Sequence, residues 1–228
     1  MANIQKYSDL KDIGHLCKHY ERSAENYSNT KIDKERTEKN YNLAPERVGK
    51  QTDYIKEKIK EIELSNGKTL RKDAVKMVTC IVDAPKNIDK KNIEKFFQLS
   101  YRFLVQRYGS KSGLGEDIVV SAYVHNDENT PHLHFAFLPI IKKKGTLTFC
   151  AKDMINRQDL RTLHQDLGEF LESRNICRKS DILNGSTIKD SNGKAVSVNQ
   201  LKKEKYLRER DGRWNRNRER TFDRESRW

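Results

Sequence analysis

Apolar positions along the chain recur with two different periods, one of helices and one of strands. Ala2–Tyr7 reads as a short strand, and Ser8-Asp9 as a turn leading into a helix over Leu10–Glu25. Residues 28–45 are polar and aperiodic, with one short extended piece at Asn40-Tyr41-Asn42-Leu43. Ile55, Ile59 and Ile62 fall at helical spacing, and Asn66-Gly67 supplies a stop. The β-branched run Ala74–Val82 predicts a buried strand closed by Pro85. Ile93, Phe96, Phe97, Leu104 and Tyr108 form one helical face, which Gly109 is expected to end.

Two strand-like runs follow, Ile118–His125 and His132–Ile140, joined by the polar loop Asn126–Pro131 as a hairpin. A short strand is expected around Thr146–Cys150. A helix from about Asn156 then carries Leu160, Leu163, Leu167, Phe170 and Leu171 on one face. His164 lies beside that stripe and receives no role. Strands interleaved with helices imply an α/β fold, an α+β sandwich whose largely antiparallel central sheet is covered by helices on at least one face.

Beyond Cys177 the core-type periodicity stops, and turns are marked by Asn184-Gly185-Ser186 and Ser191-Asn192-Gly193. The expected organisation is a folded domain over residues 1–177 and a basic extension over 178–228. From Leu201 to Trp228 there are 11 Lys/Arg against 6 Asp/Glu, together with both tryptophans, Trp214 and Trp228. Such a segment is either a phosphate-gripping, base-stacking arm or a solvated charged tail.

Charge changes this picture of a fold into one of a partner. The 228-residue chain carries a formal net charge of +13 with a pI near 9.5, which predicts attraction to a polyanion such as DNA. No apolar run reaches the length of a membrane span, and the N-terminus has no hydrophobic signal core, so the expected compartment is the cytoplasm. Cys17, Cys80, Cys150 and Cys177 form no CxxC pair and read as small apolar residues.

The candidate chemistry is concentrated in His125-Asn126-Asp127-Glu128-Asn129-Thr130-Pro131-His132-Leu133-His134-Phe135. Alternation along a strand puts His132 and His134 on one face, with Leu133 and Phe135 on the other. Closing the hairpin through its loop sets His125 across from His132, so three imidazoles converge. Three neutral histidines can hold a divalent ion and leave positions open for a substrate oxygen. The set alone names neither the reaction nor the metal, since zinc hydrolases use it too.

The string H-x-D-E-x-T-P-H-x-H-F, met in full here, resembles the metal motif of the MobV-type plasmid mobilisation and recombination proteins (the Mob/Pre family). These are relaxases of the histidine-hydrophobe-histidine (HUH) nuclease class. Lys18-His19-Tyr20-Glu21-Arg22 resembles that family's first motif, Asn40-Tyr41-Asn42-Leu43 its N-Y-[DEN]-L element, and Arg71-Lys72-Asp73-Ala74-Val75 its R-x-D-A-V stretch. The elements keep the family's order over about residues 1–175, and the tail beyond Cys177 lies outside the resemblance.

The resemblance implies an enzyme that nicks one DNA strand at a plasmid transfer origin, stays covalently on the 5′ phosphate and later rejoins the ends. It implies a metal held by His125, His132 and His134, with Mn²⁺ or Mg²⁺ as the working ion; three imidazoles favour manganese of the two. Two nucleophiles are open: Tyr41, by analogy with most HUH enzymes, and His19, which matches the histidine of the first motif. His15, His19 and Arg22 follow at i, i+4, i+7, a helical face on which Arg22 would hold the phosphate that His19 attacks. Glu128 is the expected acid/base, and Asp127 an assistant to the metal shell or to a histidine. Arg71 is a candidate second phosphate clamp. The competing readings are a rolling-circle replication initiator with a tyrosine nucleophile, a non-catalytic DNA-binding accessory protein, and a metallohydrolase of small substrates.

Overall fold

The computed structural model describes residues 2–24 and 32–183. Its strands are β1 (Ala2–Tyr7), β2 (Tyr41–Asn42), β3 (Met77–Asp83), β4 (Val119–His125), β5 (His132–Phe137), β6 (Ile140–Lys143) and β7 (Thr146–Phe149). Its α-helices are α1 (Leu10–Glu21), α2 (Gln51–Asn66), α3 (Ile93–Leu104), α4 (Ser110–Ser112), α5 (Ala151–Met154), α6 (Arg157–Glu172) and α7 (Lys179–Leu183). Five strands form one sheet in the order β1-β3-β5-β4-β2, every pairing antiparallel. The mixed α/β architecture with a central antiparallel sheet is the one the sequence predicts.

The register decides which chemistry shares a face. His125 pairs with His132 and Tyr123 with His134 across β4 and β5, while Asp83 and Ile81 of β3 pair with His132 and His134. All six side chains therefore point one way. Val82, Val124, Leu133 and Phe135 point the other way and are buried. Helix α1 covers the histidine face, with the Tyr20 ring 4.6 Å from that of His134. Helix α3 and its continuation cover the opposite face, where Tyr101 meets Phe135 and Tyr108 stacks on Phe137 at 4.6 Å. Both faces are thus covered, and each fully buried aromatic or aliphatic side chain contributes roughly 1.5–3 kcal/mol by leaving water.

Several boundaries differ from the sequence reading. Helix α1 stops at Glu21, not Glu25, because Arg22 takes the left-handed conformation (φ 56°) and its N–H returns to the His19 carbonyl. The stretch 28–45 is less irregular than expected, since Lys34–Lys39 form a 3-10 helix before β2. Strand β3 starts at Met77: Ala74 closes a turn onto the Arg71 carbonyl, and the Lys76 ammonium donates to the carbonyls of Ser8, Lys72 and Ala74.

The run His132–Ile140 is broken rather than continuous. β5 ends at Phe137, Pro139 has no N–H to extend the ladder, and Ile140 opens a separate two-stranded ribbon of β6 and β7. That ribbon turns at Lys144 (φ 48°) and Gly145 (φ 86°), two successive left-handed residues as a tight hairpin needs.

Gly109 does not end its helix. The chain passes from α3 through a π-helical turn, Val105–Gly109, into α4, and stops at Gly113, whose φ of 74° is left-handed. Gly109 itself is right-handed; a Cβ there would lie 2.5 Å from the Gly115 carbonyl oxygen, so its role is close approach. In α6, Leu163, Leu167 and Leu171 are buried as expected, but Leu160 is 46% exposed and outside the core. Helix α7 buries Ile182, so packing continues past Cys177. The basic stretch from Leu201 to Trp228 lies outside the described residues. Among the described residues no helix is long and apolar enough to cross a membrane.

Candidate active site

Strand pairing brings the three hairpin histidines together behind α1. Ring centroids are 5.4 Å apart for His125 and His132, 4.6 Å for His125 and His134, and 4.7 Å for His132 and His134. His19, in the last turn of α1, joins them at 5.5 Å from His125 and 5.4 Å from His134. His19, His132 and His134 border a cleft of about 480 Å³ that is also lined by Asp83, Glu128 and Thr130, and His125 is buried beside them.

Backbone carbonyls fix two of the rings. His125 Nε2 lies 2.9 Å from the Tyr20 carbonyl and His132 Nδ1 lies 2.8 Å from that of Thr130. A carbonyl only accepts, so each of those nitrogens carries the hydrogen, and the lone pairs sit on His125 Nδ1 and His132 Nε2. Burial lowers the pKa of His125 to about 4 and that of His134 well below its ordinary value, which keeps both neutral at physiological pH.

The donor set fits a divalent ion. His125 Nδ1, a nitrogen with its lone pair free, is buried with no hydrogen-bond partner among the described residues, which is costly for a polar atom unless something else binds there. His132 Nε2 and His134 Nε2 stand 2.9 Å apart. Two imidazole nitrogens bound side by side to one ion at bonds of about 2.1 Å lie roughly 3 Å from each other. Ligand atoms of His19, His125 and His134 all fall within 4.8 Å of one another, as do those of His125, Glu128 and His132.

Arg22 organises the rest. Its Nε and Nη2 donate to the two carboxylate oxygens of Asp127, each at 2.8 Å, and Nη2 also donates to Glu128 Oε1 at 2.8 Å. Its Nη1 donates to the His19 carbonyl at 3.2 Å and reaches His19 Nδ1 at 3.1 Å. With its side chain 4% exposed and turned onto two carboxylates, Arg22 is not poised to clamp a phosphate; it holds His19 and the hairpin loop in place. Nor does it extend a helical face from His15 and His19, because it lies past the end of α1, and His15 is exposed.

The two acids are held ionised. Burial opposes ionisation of Asp127, but the hydrogen bonds and charge of Arg22 outweigh it and drive its pKa far down. Burial likewise opposes ionisation of Glu128, and Arg22 with His132 reverses the balance and lowers its pKa. Ionised Glu128 suits a base better than an acid. Burial, reinforced by the Arg22 charge, lowers the pKa of His19, so its ring is neutral.

The remaining candidates lie elsewhere. Tyr41 pairs with Val124, one residue before His125, so its side chain points to the opposite face of the sheet from the histidines. Burial, with the Glu94 charge beside it, pushes its phenol up to about 12. Arg71 is an exposed side chain paired with Asp73, away from the histidine cleft. Asp83 was not singled out from the sequence, yet it pairs with His132 and lines the cleft. Its signal is the alternation of β3, where Ile81 and Asp83 break an otherwise buried run. Thr37 and Asn40, from the stretch read as irregular, also reach the loop: Thr37 Oγ1 donates to Asp127 at 3.1 Å, and Asn40 Oδ1 accepts from the Asn126 N–H at 2.7 Å.

Strand β5 presents His132 and His134 around the buried Leu133 on one face of the antiparallel sheet, with His125 of β4 and His19 of α1 beside them, the histidine-hydrophobe-histidine arrangement of an HUH-type fold. The chain belongs to the plasmid recombination enzyme family, whose sequence model matches residues 1–203. It is 30% identical over 215 residues to a plasmid recombination enzyme of Bacillus sp, a match covering 92% of this chain and 47% of that protein. Against the type 1 enzyme of Staphylococcus aureus it is 32% identical over 164 residues, covering 70% of this chain and 38% of the relative. The chain therefore spans about half or less of the curated relatives it matches.

Among solved structures it resembles the MobM relaxase domain bound to plasmid pMV158 oriT DNA with manganese bound. The TM-score is 0.70 at 28% identity, over 89% of this chain and 97% of that one. A second Mn-bound structure of that domain with the same origin DNA gives 0.68 at 27% identity. A divalent metal at this chain's histidine cluster agrees with both the donor geometry and those neighbours.

Proposed function

We propose that this chain is a relaxase, a metal-dependent enzyme that nicks one DNA strand at a plasmid transfer origin and remains joined to the 5′ phosphate until it reseals the ends. The observation that carries the reading is the clustering of His19 with His125, His132 and His134 beside Glu128. The +13 charge and the oriT DNA bound by the MobM domain support DNA as the partner, and the chain would act in the cytoplasm.

His125, His132 and His134 would hold the ion, with Mn²⁺ favoured over Mg²⁺ by three nitrogen donors and by the Mn-bound neighbours. Bound there, the ion supplies Lewis acidity that draws electron density from the scissile phosphate. His19 is the nucleophile: a ring-nitrogen lone pair forms the N–P bond as the P–O3′ bond breaks. The ring then sheds the hydrogen on its other nitrogen to Glu128, which passes it to the departing 3′ oxygen. Arg22 keeps His19 in position and, with Asp127, pins the loop that carries Glu128. Resealing runs these steps backwards.

The test is incubation of the chain with supercoiled plasmids carrying candidate origins, with Mn²⁺, with Mg²⁺ and with chelator. The expected product is an open circle nicked at one position, with protein attached to its 5′ end only when metal is present. Nicking in chelator, or nicks without attached protein, would count against it. A replication initiator using tyrosine is disfavoured by Tyr41, which sits on the wrong face of the sheet.

A further inference from the structure

A second cleft, of about 400 Å³, opens at the opposite end of α1 from the histidines, between the start of that helix, α2 and the segment leading to β3. Six cations line it: Lys11, Lys56, Lys60, Arg71, Lys72 and Lys76. Among the described residues two carboxylates share the lining, and each accepts from backbone. Asp9 Oδ1 caps α1 by accepting from the N–H groups of Lys11 (2.7 Å) and Asp12 (3.3 Å), and Glu63 Oε1 accepts from the Leu70 N–H at 2.7 Å. Lys76 is spent on backbone carbonyls, and the pairs Lys56–Asp53 and Arg71–Asp73 are highly exposed. Exposed pairs of this kind are weak and open readily to a stronger anion.

The cleft connects to the proposed reaction centre by a ridge on α1. Lys11, His15 and His19 follow at i, i+4, i+8 on one side of the helix, Lys11 and His15 exposed and His19 half-buried in the histidine cleft. His19 lies eight residues along the helix from Lys11, a rise of about 12 Å. One strand of a duplex presents roughly three or four phosphates over that distance.

We infer that this cleft is a second phosphate-binding site, one that grips the backbone of a base-paired arm of the DNA whose scissile phosphate lies at His19. Among the described residues no aromatic side chain lines it, so they offer no platform for stacking an unpaired base, and recognition by them is of phosphates. Arg71 thereby contacts DNA at a distance from the nick. The inference rests on DNA being the substrate.

The test uses the full chain and a fluorescein-labelled hairpin DNA of arbitrary sequence, with affinity measured against salt. Lys60 and Lys72 are both exposed, and neither touches the histidine cleft. Each phosphate contact contributes about 0.9 to the slope of log K against log salt, so Lys60→Ala with Lys72→Ala should make the slope shallower by roughly 2. Lys60→Arg with Lys72→Arg should restore it, which separates charge from folding. A wild-type chain that binds while the alanine pair leaves the slope unchanged would overturn the cleft and leave the relaxase reading standing. A wild-type chain that binds no DNA would overturn both.

Discussion

Arg22 and Asp127 meet as a two-point contact, Nε to Oδ2 and Nη2 to Oδ1, both at 2.8 Å, with side chains 4% and 0% exposed. The contact ties the cap of α1 to the loop between β4 and β5. Together with the His125 contact to the Tyr20 carbonyl, it sets the placement of His19 relative to the hairpin histidines.

Asp127→Asn should therefore be costly. Removing one charge from a buried pair costs roughly 3–5 kcal/mol, and because Glu128 still accepts from Arg22 the lower end is expected, about 3 kcal/mol. Urea unfolding of the variant beside the wild type measures it. A loss below about 1 kcal/mol would mean the pair is solvated and positions nothing.

Metal binding should stabilise the chain through the hairpin histidines. At a hundredfold excess over its dissociation constant, an ion bound only by the folded state adds about 2.7 kcal/mol. Thermal melts should thus shift upward with Mn²⁺ for the wild type and hardly at all for His132→Ala or His134→Ala. An equal shift in the variants would place the ion elsewhere.

Gly109→Ala probes the unexpected continuation of α3. The added Cβ would stand 2.5 Å from a backbone oxygen that cannot rotate away, so the helix or the Gly115 turn must move. Overpacking of this kind costs about 1–3 kcal/mol, visible as a lower Tm. A neutral melt would show that the approach is slack.

What the sequence conveyed and what it hid follow one physical line. Alternation within a strand and pairing across a short loop are local, so the convergence of His125, His132 and His134 was legible from the hairpin alone. The partner of each outer strand is not local. Asp83 became a neighbour of His132 only because β3 lies next to β5, and Tyr41 turned away from the histidines only because it pairs with Val124. Arg22 was legible as a cation near His19, but its partners come from 105 positions away. Gly109 read as a stop because glycine usually ends helices through its left-handed freedom; here it serves close packing, which one sequence does not distinguish.

The tyrosine alternative makes its own prediction. Tyr41→Phe removes only a hydroxyl on the far face of the sheet, whose phenol is pushed up to about 12 by burial and by Glu94. Nicking by this variant should stay within about threefold of wild type, less than 1 kcal/mol of barrier. A loss of a hundredfold or more would bring Tyr41 back into the reaction.

The most direct test of the account is the chemistry of the protein–DNA adduct. The wild-type chain and His19→Ala are each incubated with origin DNA and metal, and any adduct is then treated with mild acid or with alkali. A phosphoramidate on an imidazole breaks in mild acid and resists alkali, whereas a phosphotyrosine link survives the acid. The wild type should give an acid-labile, alkali-stable adduct and His19→Ala none. An acid-stable adduct that persists in His19→Ala would contradict it.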